Sequence, residues 1–320
     1  MKKIITLTVN PAIDKSTTVA GIEPNKKLRC AEPVFEAGGG GVNISKVIKE
    51  LGGVSLCMYL AGGPTGEHLK QMLTNANILQ QIVPIINWTR ENLAVTDTNT
   101  NLQYRFGMPG PEIKEQEWKQ ALAHLENILR EGDYLVASGS LSPGMPQNFY
   151  ANVASIAKGK KVRFILDTSG KALSNGVGEG VFLLKPNLGE LSVLCGVDVI
   201  TSNNLESLAK KFIKENSCEI MVVSLGAKGA LLVTKDTTEY ISAPTVLPIS
   251  TIGAGDSMLA GMVRALAEGK SYSEMVKYGV ACGTAATMTP GSELCKKEDV
   301  DELYEWISSN SNNLEKIQVS

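Results

Sequence analysis

Gly253-Ala254-Gly255-Asp256 carries the strongest chemical signature in this chain. Two glycines flank an alanine, and an aspartate follows at once. Behind them Met258, Leu259, Met262, Ala265 and Leu266 recur at helical spacing, and Gly269 supplies a C-terminal stop. The spacing predicts a glycine turn that opens a buried helix, with Asp256 in its first turn. The first backbone N–H groups of a helix lack intrahelical acceptors and favour negative charge. Glycines let the backbone approach a ligand closely. Such a turn can hold the charge that builds on a transferring phosphoryl group, and its field would keep Asp256 ionised and able to act as a base. Aspartate is also a common helix cap, which is the competing meaning.

Other polar residues stand where strands end. Ile4 to Val9 reads as a first buried strand with Asp14 just beyond it, at the edge where open α/β sheets bind ligands; a turn-forming aspartate fits equally well. Ser140 follows a strand over 134–138, Lys185 and Asn187 follow one over 181–184, and Ser224 follows one over 220–223. Lys185, Asn187 and Glu190 are the residue types that meet a nucleotide–magnesium complex, although Asn187 and Glu190 also fit a capping box. Gly226-Ala227-Lys228-Gly229 can aim N–H groups and a lysine at phosphate, or can form a tight β-turn. Gly38 to Gly41 precede a helix that starts near Val42. Four glycines are costly in chain entropy, so close packing against a ligand is favoured over a flexible linker. Lys26, Lys27 and Arg29 form one basic cluster, and Arg90 and Arg105 sit on strand-like segments. Each is either a phosphate-binding group or a solvated surface residue.

These residues need a scaffold. The chain has 320 residues, 43% of them hydrophobic, enough for a large core. A net charge of −2 argues against nucleic acid as the main partner. Six scattered cysteines without C-x-x-C spacing suggest reduced thiols rather than a zinc site. Two histidines leave little material for histidine chemistry. Asn10, Asp14 and Lys15 arrive too early for a signal peptide, and no apolar run reaches membrane-spanning length. Segments 15–35 and 87–106 read as short strands, the latter a hairpin through Thr98 to Asn101, and together predict a small separate sheet. The remainder alternates strand and helix, with helices over 67–76, 115–129, 149–157, 205–214, 273–288 and 298–308 and a hairpin over 230–242. That alternation predicts a mostly parallel sheet covered on both faces. The tail from Ser308 is expected to fray. The spacing Gly38, Gly40, Asn43 lacks the third glycine of a dinucleotide fingerprint, which weighs against a nicotinamide oxidoreductase. No phosphate-binding Walker sequence occurs either. A nucleotide- and sugar-binding regulator without turnover is the remaining contrast to an enzyme.

Gly38-Gly39-Gly40-Gly41-Val42-Asn43, Lys185-Pro186-Asn187 with Glu190, and Gly253-Ala254-Gly255-Asp256 together resemble the PfkB (ribokinase-like) carbohydrate kinases, over essentially the whole chain. Lys27-Leu28-Arg29-Cys30, Thr89-Arg90-Glu91-Asn92-Leu93 and Tyr104-Arg105-Phe106-Gly107 are similar to the branch that acts on fructose 6-phosphate. The resemblance implies one α/β kinase domain over 1–320, a three-layer α/β/α architecture with a mostly parallel central sheet. It adds a small β-sheet lid formed by about 12–35 and 87–108, and a cytoplasmic homodimer joined through the lids. It implies transfer of the γ-phosphoryl group of ATP to a sugar-phosphate hydroxyl in carbohydrate metabolism, as in glycolysis. Asp256 then resembles the base, and Gly253, Ala254 and Gly255 the anion hole. Asp14, Gly39 and Asn43 match positions for sugar hydroxyls; Lys27, Arg29, Arg90, Arg105 and Ser140 match positions for the sugar's phosphate. Lys185, Asn187, Ser224, Gly226 and Gly229 match the nucleotide side, with Gly283 and Thr284 near its base. Glu190 resembles the residue that places magnesium, and potassium in relatives is held by backbone carbonyls near Ser250, Ile252, Ala286 and Gly291. Relatives acting on fructose 1-phosphate or tagatose 6-phosphate carry a lysine inside the front glycine motif, absent here, which favours fructose 6-phosphate. Thr8-Val9-Asn10-Pro11-Ala12-Ile13-Asp14, however, resembles those same relatives.

Overall fold

A computed structural model describes residues 2–216, 218–291 and 293–310. In chain order the strands are β1 (Ile4–Thr8), β2 (Ala12–Val19), β3 (Val34–Gly38), β4 (Leu56–Ala61), β5 (Leu79–Pro84), β6 (Arg90–Asp97), β7 (Leu102–Phe106), β8 (Tyr134–Ser138), β9 (Arg163–Asp167), β10 (Val181–Leu184), β11 (Cys218–Ser224), β12 (Ala230–Thr234) and β13 (Thr238–Ile241). The helices are α1 (Gly40–Glu50), α2 (Gly63–Asn75), α3 (Glu115–Ile128), α4 (Phe149–Gly159), α5 (Gly170–Gly176), α6 (Leu188–Cys195), α7 (Leu205–Glu215), α8 (Ala254–Ala267), α9 (Tyr272–Thr287) and α10 (Lys297–Asn310).

The main sheet runs β13-β12-β11-β10-β9-β8-β1-β4-β5. Its pairs from β5 to β11 are parallel, and the β11–β12 and β12–β13 pairs are antiparallel. β1 is buried along its whole length, as a strand covered on both faces must be. Alternation sorts its side chains and those of its neighbours. Ile5, Leu7, Leu135 and Ala137 join a core with Leu125 of α3, Phe149 and Val153 of α4 and Leu205 of α7. Ile4, Tyr134 and Val136 join the opposite core, built on Ile44 and Val47 of α1, Met262 of α8 and Val280 of α9. Two helical layers therefore enclose one sheet, with residues such as Leu7 and Val136 fully shielded.

A second sheet, β3-β2-β6-β7, stands apart from the first. β2 pairs antiparallel with β3 and parallel with β6. β2 begins at Ala12, so Asp14 lies inside a strand of this second sheet rather than in the turn after β1. The β2–β6 register puts Asp14 opposite Asn92, whose Nδ2 donates to Asp14 Oδ1 at 2.7 Å, and that pairing extends the strand further back than propensity alone indicates. Ala31 to Pro33 lie outside any strand, and β3 starts only at Val34. α2 starts at Gly63 instead of Glu67, because Pro64 is well placed in a first helical turn. α5 is a seven-residue helix unmarked by periodicity. α10 continues through Asn310, so the expected fraying does not begin at Ser308; the rest of the tail lies outside the described residues.

Candidate active site

Strands β1, β8, β9, β10 and β11 are consecutive neighbours in the main sheet, so the polar residues after their C-terminal ends share one edge. A cavity of about 280 Å³ opens there, walled by Gly40, Ser138, Ser140, Asp167, Glu190 and Asp256 among others.

Asp256 enters from the first turn of α8. Gly253 takes the left-handed conformation at φ 74° that an L side chain disfavours, and it turns the chain into the helix. No side chain caps α8, and the first intrahelical bond runs from Ser257 N–H to the Gly253 carbonyl at 2.8 Å. Ala254, Gly255 and Asp256 thus lead with N–H groups that have no intrahelical acceptor. Asp256 sits three positions past the cap, so the capping role is not the one it plays. Its Oδ2 accepts from Asn43 Nδ2 at 2.8 Å.

The helix field favours the ionised form of Asp256. Burial outweighs it. Desolvation, joined by the nearby Asp167 carboxylate, lifts the Asp256 carboxyl from 3.8 to about 6, against the pull of Asn43, Lys185 and Lys46. A base with that value is still mostly ionised at neutral pH and binds a proton more readily than an ordinary aspartate.

The glycine run before α1 does require close approach, but its partners are the chain's own atoms. A Cβ on Gly40 would lie 2.1 Å from Ser138 Oγ, and one on Gly41 2.6 Å from Thr8 Oγ1. Gly39, at φ 114°, caps α1 against Thr8 and Pro11. Packing α1 directly on the ends of β1 and β8 is what carries Asn43 to Asp256.

Lys185 is buried and pairs with Asp167 at 3.4 Å. Burial alone would lower its ammonium, but the carboxylates of Asp167, Asp256 and Glu190 outweigh it and hold it above its ordinary value. Asn187 and Glu190 form the capping box of α6: Asn187 Oδ1 accepts from Glu190 N–H and Glu190 Oε2 accepts from Asn187 N–H, each at 2.9 Å. That bond still leaves Glu190 as a wall of the cavity. Ser224 bridges to Asn187, and its N–H donates to the Pro186 carbonyl at 2.9 Å. Gly226 and Gly229 bracket a tight 3-10 turn between β11 and β12, closed by Leu225 N–H on the Gly229 carbonyl. Gly283 lets α9 close on the start of α8, with Ala254 O only 3.2 Å from where its Cβ would be, and Thr284 is buried beside it. Ser250 Oγ donates to the Gly291 carbonyl at 2.7 Å and accepts from Ile252 N–H at 3.2 Å, while Thr289 Oγ1 donates to the Ala286 carbonyl at 2.9 Å. Three of the four positions suggested for a monovalent cation, Ser250, Ile252 and Gly291, are therefore linked by short local bonds, and Ala286 is bonded separately to Thr289.

The basic residues divide. Arg90 donates to the carbonyls of Met108 and Asn10 at 3.0 and 3.1 Å, and its buried Nε has no protein partner. It walls a separate cavity of about 520 Å³ with Lys15, Trp88 and Met108. Ser140 Oγ accepts from Asn10 Nδ2 at 3.2 Å and lines the smaller cavity. Lys27, Arg29 and Arg105 are exposed on or beside the second sheet and are not among that cavity's walls. Asp167 and Lys46 were missed by sequence reasoning. Asp167 ends β9 at the same sheet edge as the residues singled out, so the same rule could have found it. Lys46 lies three residues after Asn43 on one face of α1.

The model of the family described as pfkB family carbohydrate kinase matches residues 5–299. The chain belongs to that family. It is 40% identical over 309 residues to ATP-dependent 6-phosphofructokinase isozyme 2 of Escherichia coli K12, covering 96% of this chain and all of that protein. A crystal structure of phosphofructokinase-2 from Escherichia coli in complex with fructose-6-phosphate matches with a TM-score of 0.91 at 39% identity, over 96% of this chain and 100% of that one. A second, in complex with potassium, matches with a TM-score of 0.93 at 40% identity and the same coverage. As members of a kinase family, these proteins and this chain share a mixed α/β fold with a large, mostly parallel sheet.

Proposed function

We propose that this pfkB-family kinase transfers the γ-phosphoryl group of ATP to the 1-hydroxyl of fructose 6-phosphate, giving ADP and fructose 1,6-bisphosphate. The observation that carries the reading is Asp256: a carboxylate lifted to about 6, held by Asn43, in the first turn of an uncapped helix beside a cavity. In the reaction the hydroxyl oxygen forms the new bond to phosphorus, the bond to the leaving ADP oxygen breaks, and the hydroxyl proton passes to Asp256. The N–H groups of Ala254 and Gly255 face the charge on the transferring group. Lys185, Asn187, Ser224, Gly226 and Gly229 take the nucleotide phosphates, with Gly283 and Thr284 at the base. Asp14, Gly39 and Asn43 orient the sugar, Ser140 and Arg90 bind its phosphate from the two neighbouring cavities, and the exposed Lys27, Arg29 and Arg105 of the second sheet would join them only when that sheet is brought over the site.

Magnesium fits this donor set. No cluster of three acidic, histidine or cysteine ligands occurs among the described residues, as suits an ion bound mainly by water and substrate phosphates, and Glu190 supplies a carboxylate at the cavity wall. Bound there, it would neutralise phosphate charge. The backbone carbonyls around Ser250, Ile252, Ala286 and Gly291 suit potassium.

The second sheet serves as a lid, from about 12–35 and 87–108. Val34, Leu102 and Phe106 stand 60%, 58% and 49% exposed on it, apolar surface that a second copy of the chain would cover. Six free cysteines support a cytoplasmic site.

A coupled ADP-release assay tests the reading across fructose 6-phosphate, fructose 1-phosphate, tagatose 6-phosphate and unphosphorylated sugars. Highest kcat/KM with fructose 6-phosphate is expected. Preference for either of the other sugar phosphates would move the chain to another branch, and no turnover with any of them would refute the kinase reading.

A further inference from the structure

α1 carries two polar side chains one turn apart, Asn43 and Lys46. Asn43 donates to Asp256, as described. Lys46 reaches the other way, and its Nζ donates to the Ala37 carbonyl in β3 at 3.2 Å. α1 packs in the layer beside the main sheet, whereas β3 belongs to the second sheet. A single helix turn therefore touches both the carboxylate of α8 and the backbone of the second sheet.

Three carboxylates act on Lys46. Asp14 in β2 and Glu36 in β3 are cross-strand partners in register, and both act on its ammonium, as does Asp256. Lys46 is half-buried, and burial pulls its ammonium below the ordinary lysine value against those three carboxylates. Long lysine side chains normally keep their charge in open water. One drawn between two sheets and bonded to a backbone carbonyl instead fixes a distance. A Cβ on Gly38 would fall 1.9 Å from Asp14 Oδ2, so the strand that Lys46 grips is also the strand against which Asp14 is packed.

We propose that Lys46 is a positioning residue that sets where β2 and β3, and with them Asp14, stand relative to Asp256. This rests on the kinase reading above, in which Asp14 orients the acceptor. Lys46 does not touch the reacting atoms. It fixes the seat of the sugar against the base, and its charge secondarily helps to keep Asp256 ionised. The other charges that face Asp256 are Asp167 at the end of β9 and Lys185 after β10, with Glu190 on α6 acting on Lys185. α9 offers Gly283, Thr284 and Thr287 at this end, all uncharged.

Lys46→Met removes the ammonium and keeps the stem, and Lys46→Arg restores a cation. In Lys46→Met the KM for fructose 6-phosphate should rise about tenfold while the KM for ATP stays within about twofold. The acid limb of kcat/KM should move up by about half a pH unit, because a cation that favours the Asp256 carboxylate is gone. Lys46→Arg should recover most of both changes. Carbon-13 NMR of the substrate-free protein, with the Asp256 signal assigned by its loss in Asp256→Asn, follows the carboxyl without turnover. Its midpoint should rise in Lys46→Met and return in Lys46→Arg. Unchanged sugar KM and unchanged Asp256 midpoint in Lys46→Met would overturn the proposal, as would Lys46→Arg behaving like Lys46→Met. Should the wild-type chain turn over no sugar phosphate, the kinase reading fails separately, and the NMR midpoints still decide the Lys46–Asp256 coupling.

Discussion

Asp256→Asn separates the chemistry of the site from its stability. The folded carboxyl is lifted from 3.8 to about 6. At about 1.36 kcal/mol per pH unit, that lift corresponds to about 3 kcal/mol of unfavourable charge burial at neutral pH. Asp256 keeps an edge on the cavity, so solvent screening reduces the figure to about 2 kcal/mol. The sign follows from proton binding: the folded protein holds this proton more tightly than the unfolded chain does. The ionised group therefore lowers stability above pH 6, and the effect fades as the pH falls toward 3.8 and is absent below it. Asparagine has no charge to bury, and its carbonyl can still accept from Asn43. The variant should melt a few degrees above the wild type at pH 7.5, with the gain reduced to about a third at pH 4.5. Its kcat should fall by about 10²–10⁴, the usual loss for a general base, with nucleotide binding retained. Calorimetry at the two pH values and a steady-state ADP-release assay read both effects. Equal melting temperatures at pH 7.5 would refute the claim that burial loads this carboxylate, and near-normal kcat would remove Asp256 from the mechanism.

Gly40→Ala should lower stability by about 1–3 kcal/mol, because its methyl group would collide with Ser138; chemical denaturation should show Ser138→Gly recovering most of it in the double variant. Arg90→Ala should raise the KM for fructose 6-phosphate at least about tenfold with little change in the KM for ATP, and an unchanged sugar KM would put the phosphate elsewhere. Glu190→Ala should raise the magnesium concentration needed for half-maximal activity and, by uncapping α6, lower stability by about 1 kcal/mol; titration of magnesium in the same assay checks the first effect.

Much of this molecule was legible in its sequence where one force dominates. Strands such as Ile4–Thr8 and Tyr134–Ser138 are continuous apolar runs, and burial on both faces leaves few other fates for them. The helix behind Gly253 was equally plain, because its apolar spacing and the left-handed turn agree. What was not legible depends on partners distant in sequence. Asp14 became a strand residue only because Asn92 and Glu36 lie opposite it. The glycines at 38–41 suggested a ligand, whereas Thr8, Pro11 and Ser138 occupy most of the space they leave. Asp256 shows the same limit in electrostatics. The helix field is local and can be read from sequence, but desolvation and the Asp167 carboxylate come from the fold, and they win.

Asp167 tests that last point in the direction opposite to Lys46. Lys185 is buried, feels the carboxylates of Asp167, Asp256 and Glu190, and pairs with Asp167 at 3.4 Å. Two acids sharing one cation compete for it, and the like charge of Asp167 is part of what lifts Asp256. Asp167→Asn removes that repulsion and leaves Lys185 to Asp256 and, more weakly, to Glu190. The acid limb of kcat/KM should then move to lower pH, while stability falls by less than the roughly 3–5 kcal/mol typical of a broken buried pair, because Asp256 remains as a counter-charge. Loss of the Ser138 hydroxyl's bond to Asp167 Oδ2, at 3.3 Å, adds little, since an asparagine carbonyl can accept it. If the acid limb instead rises, Asp167 acts on the base mainly by fixing Lys185, and the ordering of charges argued for this sheet edge is reversed.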